Sequence, residues 1–171
     1  MRARVGGTTI KTQGLAKMPF KPGVLARVQL WKAQYRSPAF RYKFLVFRGD
    51  SRSGKTTLAK SLFANPFVQT VQSAASLDLR EFDWSHNGAI VFDNVNGDSF
   101  VLNFRAMIQA SNDFHVLGTS VTGTYSYRVW LGRAPIALTA DTQAGWNSEN
   151  PWIKENCYEV AFEEPWYMCL V

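Results

Sequence analysis

Cysteine and histidine are nearly missing from this 171-residue chain. Cys157 and Cys169 are the two cysteines, and His86 and His115 the two histidines. No spacing among these four builds a closed zinc site. Two thiols suit a reduced, intracellular protein, and Cys157 reads as a small core side chain within a buried strand. Long apolar runs are missing as well. Stretches such as 89–92 and 136–138 fall far short of the roughly 20 residues that span a bilayer. Residues 1–17 are basic without a continuous apolar core, which does not read as a secretory signal, so no membrane partner is expected.

Acid is missing from the front of the chain. Residues 1–60 hold fourteen of the nineteen Lys and Arg and one acid, Asp50, a net +13, whereas residues 61–171 carry a net −7. A basic front of this kind is an electrostatic footprint for a polyanion, nucleic acid above all.

What is present suits one folded domain. Hydrophobic residues make up 46% and charged residues 19%, and the length is that of a single domain with a substantial core. No internal repeat or low-complexity tract appears. Residues 1–20 read as a basic flexible arm and 21–171 as the domain. The spacing predicts a helix over 22–33, with Val24, Val28 and Trp31 on one face and Pro38 ending it. Residues 42–47 read as a buried strand, 58–63 as helix and 67–72 as a second strand. Further strands are expected at 89–92, 136–138 and 158–162, and a helix at 100–110 capped by Asp98 or Ser99. Residues 125–131 alternate, and 121–124 before them look like a hairpin tip. Strands alternating with helices predict an α/β fold around a mostly parallel sheet.

The sharpest signal is Gly49-Asp50-Ser51-Arg52-Ser53-Gly54-Lys55-Thr56, followed by Thr57. It matches G-x-x-x-x-G-K-[ST], the phosphate-binding loop, with an apolar strand leading in and a helix-forming segment leading out. The two glycines let the backbone wrap closely, so that successive N–H groups form a nest for phosphate oxygens. The following helix start adds partial positive charge. Lys55 is the residue for the β and γ phosphates, and Thr56 the hydroxyl ligand for Mg²⁺. A second motif, Ala89-Ile90-Val91-Phe92-Asp93, ends an apolar run in the acid expected to hold that magnesium through its water shell. Asn94 follows, and an amide can orient water but cannot accept its proton. The implied cofactors are ATP and Mg²⁺. Asp98 and Asp141 are the nearest alternative bases.

A third segment, Pro135-Ile136-Ala137-Leu138-Thr139-Ala140-Asp141, precedes Trp146. In this order and spacing, residues 40–162 resemble the superfamily 3 helicase domain of replication-initiator (Rep) proteins from circular single-stranded-DNA viruses, circovirus-like. The resemblance implies an AAA+-like P-loop NTPase with a β-hairpin insertion, ring self-association (hexamer-like) and a role on single-stranded DNA in rolling-circle replication. It also implies action where DNA replicates, the host nucleus included. The family's third motif ends in an asparagine that senses the γ-phosphate, and Asp141 stands at that position. The family hairpin that grips DNA corresponds to 118–128, which makes Thr122, Gly123, Thr124, Tyr125, Tyr127 and Arg128 the DNA-binding candidates; the tyrosines are suited to stacking on bases. Arg133 and Lys154 are the candidates for the basic finger of a neighbouring subunit. Residues 1–40 are too short for the family's nicking domain and contain no histidine, so nicking is not expected. Two other functions share the loop. A nucleotide- and nucleic-acid-binding module with weakened catalysis fits Asn94 and Asp141, and a small-molecule kinase is the third alternative.

Overall fold

The computed structural model describes residues 22–74, 77–119 and 125–162. The expected arm and the expected hairpin tip both lie outside them. In chain order the described elements begin with α1 (Pro22–Ala33), a 3₁₀ turn (Gln34–Arg36), β1 (Phe44–Gly49), α2 (Lys55–Ser61) and β2 (Pro66–Thr70). Next come β3 (Ala89–Asp93), α3 (Ser99–Asn103), α4 (Arg105–Ile108), β4 (Phe114–Gly118) and β5 (Ser126–Trp130). The last three are β6 (Ile136–Asp141), α5 (Pro151–Asn156) and β7 (Cys157–Phe162).

Five of the strands form one wholly parallel sheet in the order β2-β3-β6-β1-β7. Their near-continuous apolar sequences follow from burial on both faces. Alternation sends Leu45, Phe47, Ala89, Val91 and Ala137 to one face, where they meet Val24, Val28 and Trp31 of α1 and Leu58 and Leu62 of α2. Phe44, Val46, Ile90, Phe92, Ile136 and Leu138 go to the other face, beneath α3, α4 and the β4–β5 hairpin. Pro66 opens β2 at the edge of the sheet, where its missing N–H costs no ladder bond.

The helix over 22–33 has the expected bounds and the expected buried face. Its sequel is a 3₁₀ turn ending at Ser37, which is extended (φ −120°, ψ 139°) as a residue before proline should be. The segment 100–110 is not one helix. Phe104 leaves the helical region (φ −112°, ψ 28°) and splits it into α3 and α4, while Asp98 is itself helical and makes no side-chain cap. Helices this short gain little from propensity, so burial of Phe100, Met107 and Ile108 decides their course. The helix expected at 58–63 begins earlier, at Lys55, so that the lysine of the expected phosphate-binding loop is its first residue. Helix α5 carries no clear periodic signal and was not expected, and strand β4, the first arm of the expected hairpin, lies mostly before residue 118, where the expected stretch begins. Among the described residues no helix is long and apolar enough to cross a membrane.

Two polar anchors hold the layers in register. The Trp31 indole N–H donates to the Lys43 carbonyl (2.8 Å) from a fully buried ring. Glu159 on β7 accepts from Arg48 on β1 (2.7 Å) and from Trp146 (3.2 Å) and Ser148 (2.6 Å) in the loop after β6. Burial alone would raise the Glu159 carboxyl, but these hydrogen bonds and the Arg48 charge hold it below its ordinary value.

Trp31→Ala is expected to cost about 3–5 kcal/mol, because it empties a fully buried site and removes one of the two side-chain donors to the Lys43 carbonyl, read as a lower urea midpoint. Because the native Glu159 carboxyl is depressed, its stabilisation is complete above the ordinary value of 4.5 and is lost as pH falls through the native one. Glu159→Gln therefore lowers the urea midpoint at neutral pH, and the gap between variant and wild type narrows as pH drops below 4.5.

Candidate functional site

Parallel strands present all their carboxyl ends at one edge of the sheet, and the loops that leave those ends form a crevice. In this chain β1, β6 and β3 are consecutive neighbours, so the loop after Gly49, the acid ending β6 and the acid ending β3 lie side by side.

The loop after β1 turns through left-handed backbone at Arg52 (φ 63°) and Gly54 (φ 93°). At Gly54 the missing Cβ makes that conformation inexpensive, and Lys55 then begins α2. A cavity of about 250 Å³ opens over Arg52, Ser53, Gly54, Lys55, Thr56 and Thr57, all six of them expected phosphate-loop residues. Ser53 is buried, and its hydroxyl has no hydrogen-bond partner among the described residues. Helix α2 has seven residues, so any attraction for an anion here rests on the loop amides and Lys55 rather than on a long helix dipole.

Lys55 is buried, with 7% of its surface exposed. Its ammonium donates to the carbonyls of Gly49 (2.8 Å) and Asp50 (2.6 Å) and to Asp141 Oδ1 (2.8 Å). Three donors meet three acceptors, which satisfies the buried charge. Thr142 stitches the same two loops together, its N–H donating to the Gly49 carbonyl (3.2 Å) and its hydroxyl to Asp50 Oδ1 (2.9 Å).

A second cluster sits one strand further on. Asp93 Oδ1 accepts from the hydroxyls of Thr56 and Thr139, both at 2.6 Å. The Thr139 hydroxyl in turn accepts from the Asn94 N–H (2.9 Å), and the Thr139 carbonyl accepts from Val95 N–H (2.8 Å). Asn94 is exposed and held in left-handed backbone (φ 60°). Gly97 follows at φ 81°, where an added Cβ would lie 2.8 Å from the Ala144 carbonyl oxygen; the loops after β3 and β6 approach this closely only because no side chain intervenes.

The predicted loop, Lys55, Thr56, Asp93, Asn94 and Asp141 thus come together at one edge. Thr139 and Thr142 join them. Thr139 was legible as a lone hydroxyl in a buried apolar strand, on the same face as the terminal acid. Other candidates lie elsewhere. Arg133 and Lys154 each precede by three residues the start of β6 or β7, at the opposite edge of the sheet from Lys55. Lys154 pairs with Glu149 (3.1 Å). Asp98 has no bond to the cluster among those described, and its place is the start of α3.

The expected hairpin is present as the antiparallel pair β4–β5, with Gly118 opposite Ser126 and Thr119 N–H donating to the Tyr125 carbonyl (2.8 Å). Thr122, Gly123 and Thr124 lie outside the described residues. Tyr125 is exposed and Arg128 lies on the outward face, but Tyr127 turns inward, where its phenolic oxygen accepts from Leu79 N–H (2.7 Å). No model of a known protein family matches the chain, and no curated protein matches it.

Thr139→Val keeps the shape of β6 but removes one donor from Asp93 and the acceptor of Asn94 N–H. The expected cost is about 1–3 kcal/mol in urea unfolding.

Proposed function

We propose that this chain is an AAA+-like P-loop ATPase that couples Mg-ATP hydrolysis to movement on single-stranded DNA, in the manner of the helicase domain of a viral Rep protein. One observation carries the nucleotide part of this reading. A glycine-turned loop, one buried ammonium and a hydroxyl–carboxylate pair occupy neighbouring positions at the carboxyl edge of a parallel sheet.

The charges of the cluster support a metal–polyphosphate ligand rather than a bare anion. Lys55 and Arg52 stand against Asp50, Asp93 and Asp141, so the site is short of positive charge for a triphosphate tail. Thr56 and Asp93 offer only oxygens, the donor type that magnesium takes, and they are the residues that would hold it. Bound magnesium would neutralise charge on the β and γ phosphate oxygens. Among the described residues no group of three His, Cys, Asp or Glu forms a ready metal cage, which fits an ion carried in with phosphates and water.

The chain's own groups then divide the work. Loop amides and the Ser53 hydroxyl face the phosphates, and Lys55 exchanges its contact with Asp141 for a phosphate oxygen. The exposed Asn94 amide orients the attacking water but cannot take its proton. Asp141, released from Lys55, is the carboxylate of the cluster that can accept it, so turnover should be slow compared with enzymes that carry a dedicated base. The net +13 over residues 1–60 and the β4–β5 hairpin support single-stranded DNA as the track. Ring self-association enters the reading through the resemblance.

The same Lys55–Asp141 ion pair favours a second reading, a nucleotide- and nucleic-acid-binding module with little hydrolysis. Tight ATP binding with turnover no faster than buffer would identify it.

ATP hydrolysis measured with and without single-stranded DNA, alongside mass in solution with nucleotide bound, tests the proposal; a folded protein that turns over no ATP at any magnesium or DNA concentration overturns the ATPase. Lys55→Ala is expected to abolish nucleotide binding or turnover. Asp93→Asn should lose magnesium dependence more than nucleotide affinity. Asp141→Asn removes a negative charge from the phosphate site and the ionic hold on Lys55, so Mg-ATP should bind about tenfold tighter by titration calorimetry.

A further inference from the structure

Among the described residues another cavity lies away from Lys55, between the β4–β5 hairpin and the turn at 79–84. It measures about 340 Å³, within the range of small-ligand sites. Five of its ten lining residues are aromatic. On the hairpin's outward face Phe114 stands opposite Trp130, with ring centroids 6.3 Å apart. Trp84 from the facing turn meets Trp130 edge-on at 4.6 Å. These rings are not core residues, for Trp84 is 44% and Phe114 59% exposed.

The charges at this cavity are as informative as the rings. Residues 61–171 contain five Lys and Arg against twelve acids, yet two of the five, Arg80 and Arg128, line this one cavity. The Arg128 guanidinium lies over the Phe114 ring, 4.9 Å from its centroid, a cation–π contact that holds it at the aromatic wall. Arg80 is paired with Asp78 through a forked contact. Asp83 is the carboxylate on the cavity wall, and its Oδ1 accepts from the Ser85 N–H (2.9 Å) and hydroxyl (2.6 Å). Flat π surfaces beside guanidinium groups complement a ligand that is itself flat, aromatic and tethered to phosphate.

The geometry points to this cavity as a stacking site for an unpaired base of a single nucleic-acid strand, with Trp84, Phe114 and Trp130 as the stacking faces and Arg128 on the adjoining phosphate. The site rests on the reading of the chain as a single-strand-binding protein, and its Phe114–Trp130 pair stands at the end of the β4–β5 ladder away from Gly118 and Ser126. It gives the outer face of the hairpin a part that the exposed Tyr125 alone would not supply. A second copy of the chain is the competing occupant.

The full chain and a fluorescein-labelled single-stranded DNA of mixed sequence provide the test, read by anisotropy across a salt series. Trp84→Ala and Phe114→Ala should each weaken binding about tenfold, as lost base–aromatic stacking does. The slope of log affinity against log salt should not change, because stacking releases no counterions. Arg128→Gln should instead reduce that slope. Against an abasic strand of equal length, wild type and both ring variants should bind alike. Phe114 is largely exposed, so its variant keeps the test valid if Trp84→Ala proves unstable. Ring variants that bind the DNA as wild type does overturn the cavity proposal alone, whereas a wild type that binds no single strand overturns the proposed function with it. A change in the mass of the protein in solution without a change in DNA affinity would make the surface a contact between copies, and would also overturn the proposal.

Discussion

Lys55 is a buried ammonium, and the carboxyl edge of the sheet is organised around the need to satisfy it. Removing such a charge from water is costly unless every donor finds an acceptor. The loop supplies two carbonyls, and the last residue of β6 supplies a carboxylate. That third acceptor is within reach only because β6 lies directly beside β1, with Gly49 opposite Asp141 in the register. Sheet order, loop shape and ion pair are therefore one constraint. A strand inserted between β1 and β6, or a shift of register, would leave the ammonium short of a partner.

The same neighbour relation passes the constraint on to β3. Thr139, two residues before Asp141, places its hydroxyl between Asp93 and the Asn94 N–H. Thr56, one residue after the lysine, reaches the same carboxylate oxygen from α2. Three strands and one helix start thus carry two adjacent polar clusters above a sheet whose faces are largely apolar. A cluster of this kind is rigid when complete, and here the hydroxyls of Thr56 and Thr139, like the Lys55 ammonium, are engaged. The exception is Ser53, whose buried hydroxyl has no partner among the described residues. An orphaned polar atom beside a cavity is a natural place for a ligand oxygen.

Much of the fold and of this site was legible because local rules and tertiary demands agreed. Four of the strands in the sheet were marked by short apolar runs ending at turn residues. The amphipathic spacing of Val24, Val28 and Trp31 gave α1 its bounds and its buried face. Legibility failed where burial overrode local pattern. The break at Phe104 divides a regular helical spacing because Phe100 and the Met107–Ile108 pair must both reach the core. Strand β4 (Phe114-His115-Val116-Leu117-Gly118) has apolar residues on both faces, so its sequence lacked the alternation by which β5 was found. The inward turn of Tyr127 depends on Leu79, 48 residues away, and no local signal reports such a partner.

The amino-acid sequence alone specified the G-x-x-x-x-G-K-T loop, the acids at strand ends and the charge asymmetry, since each is a matter of residue type at short spacing. It could not specify that Asp141 would bind Lys55, that Thr139 would hold Asp93, or that Trp84 would meet Trp130. Those contacts join residues 86, 46 and 46 positions apart. The first two exist because parallel strands must be connected by long crossovers, which bring remote segments side by side at one edge, and the third joins the turn before β3 to the antiparallel β4–β5 pair. Strand order decides which of them meet, and strand order follows from packing the whole core.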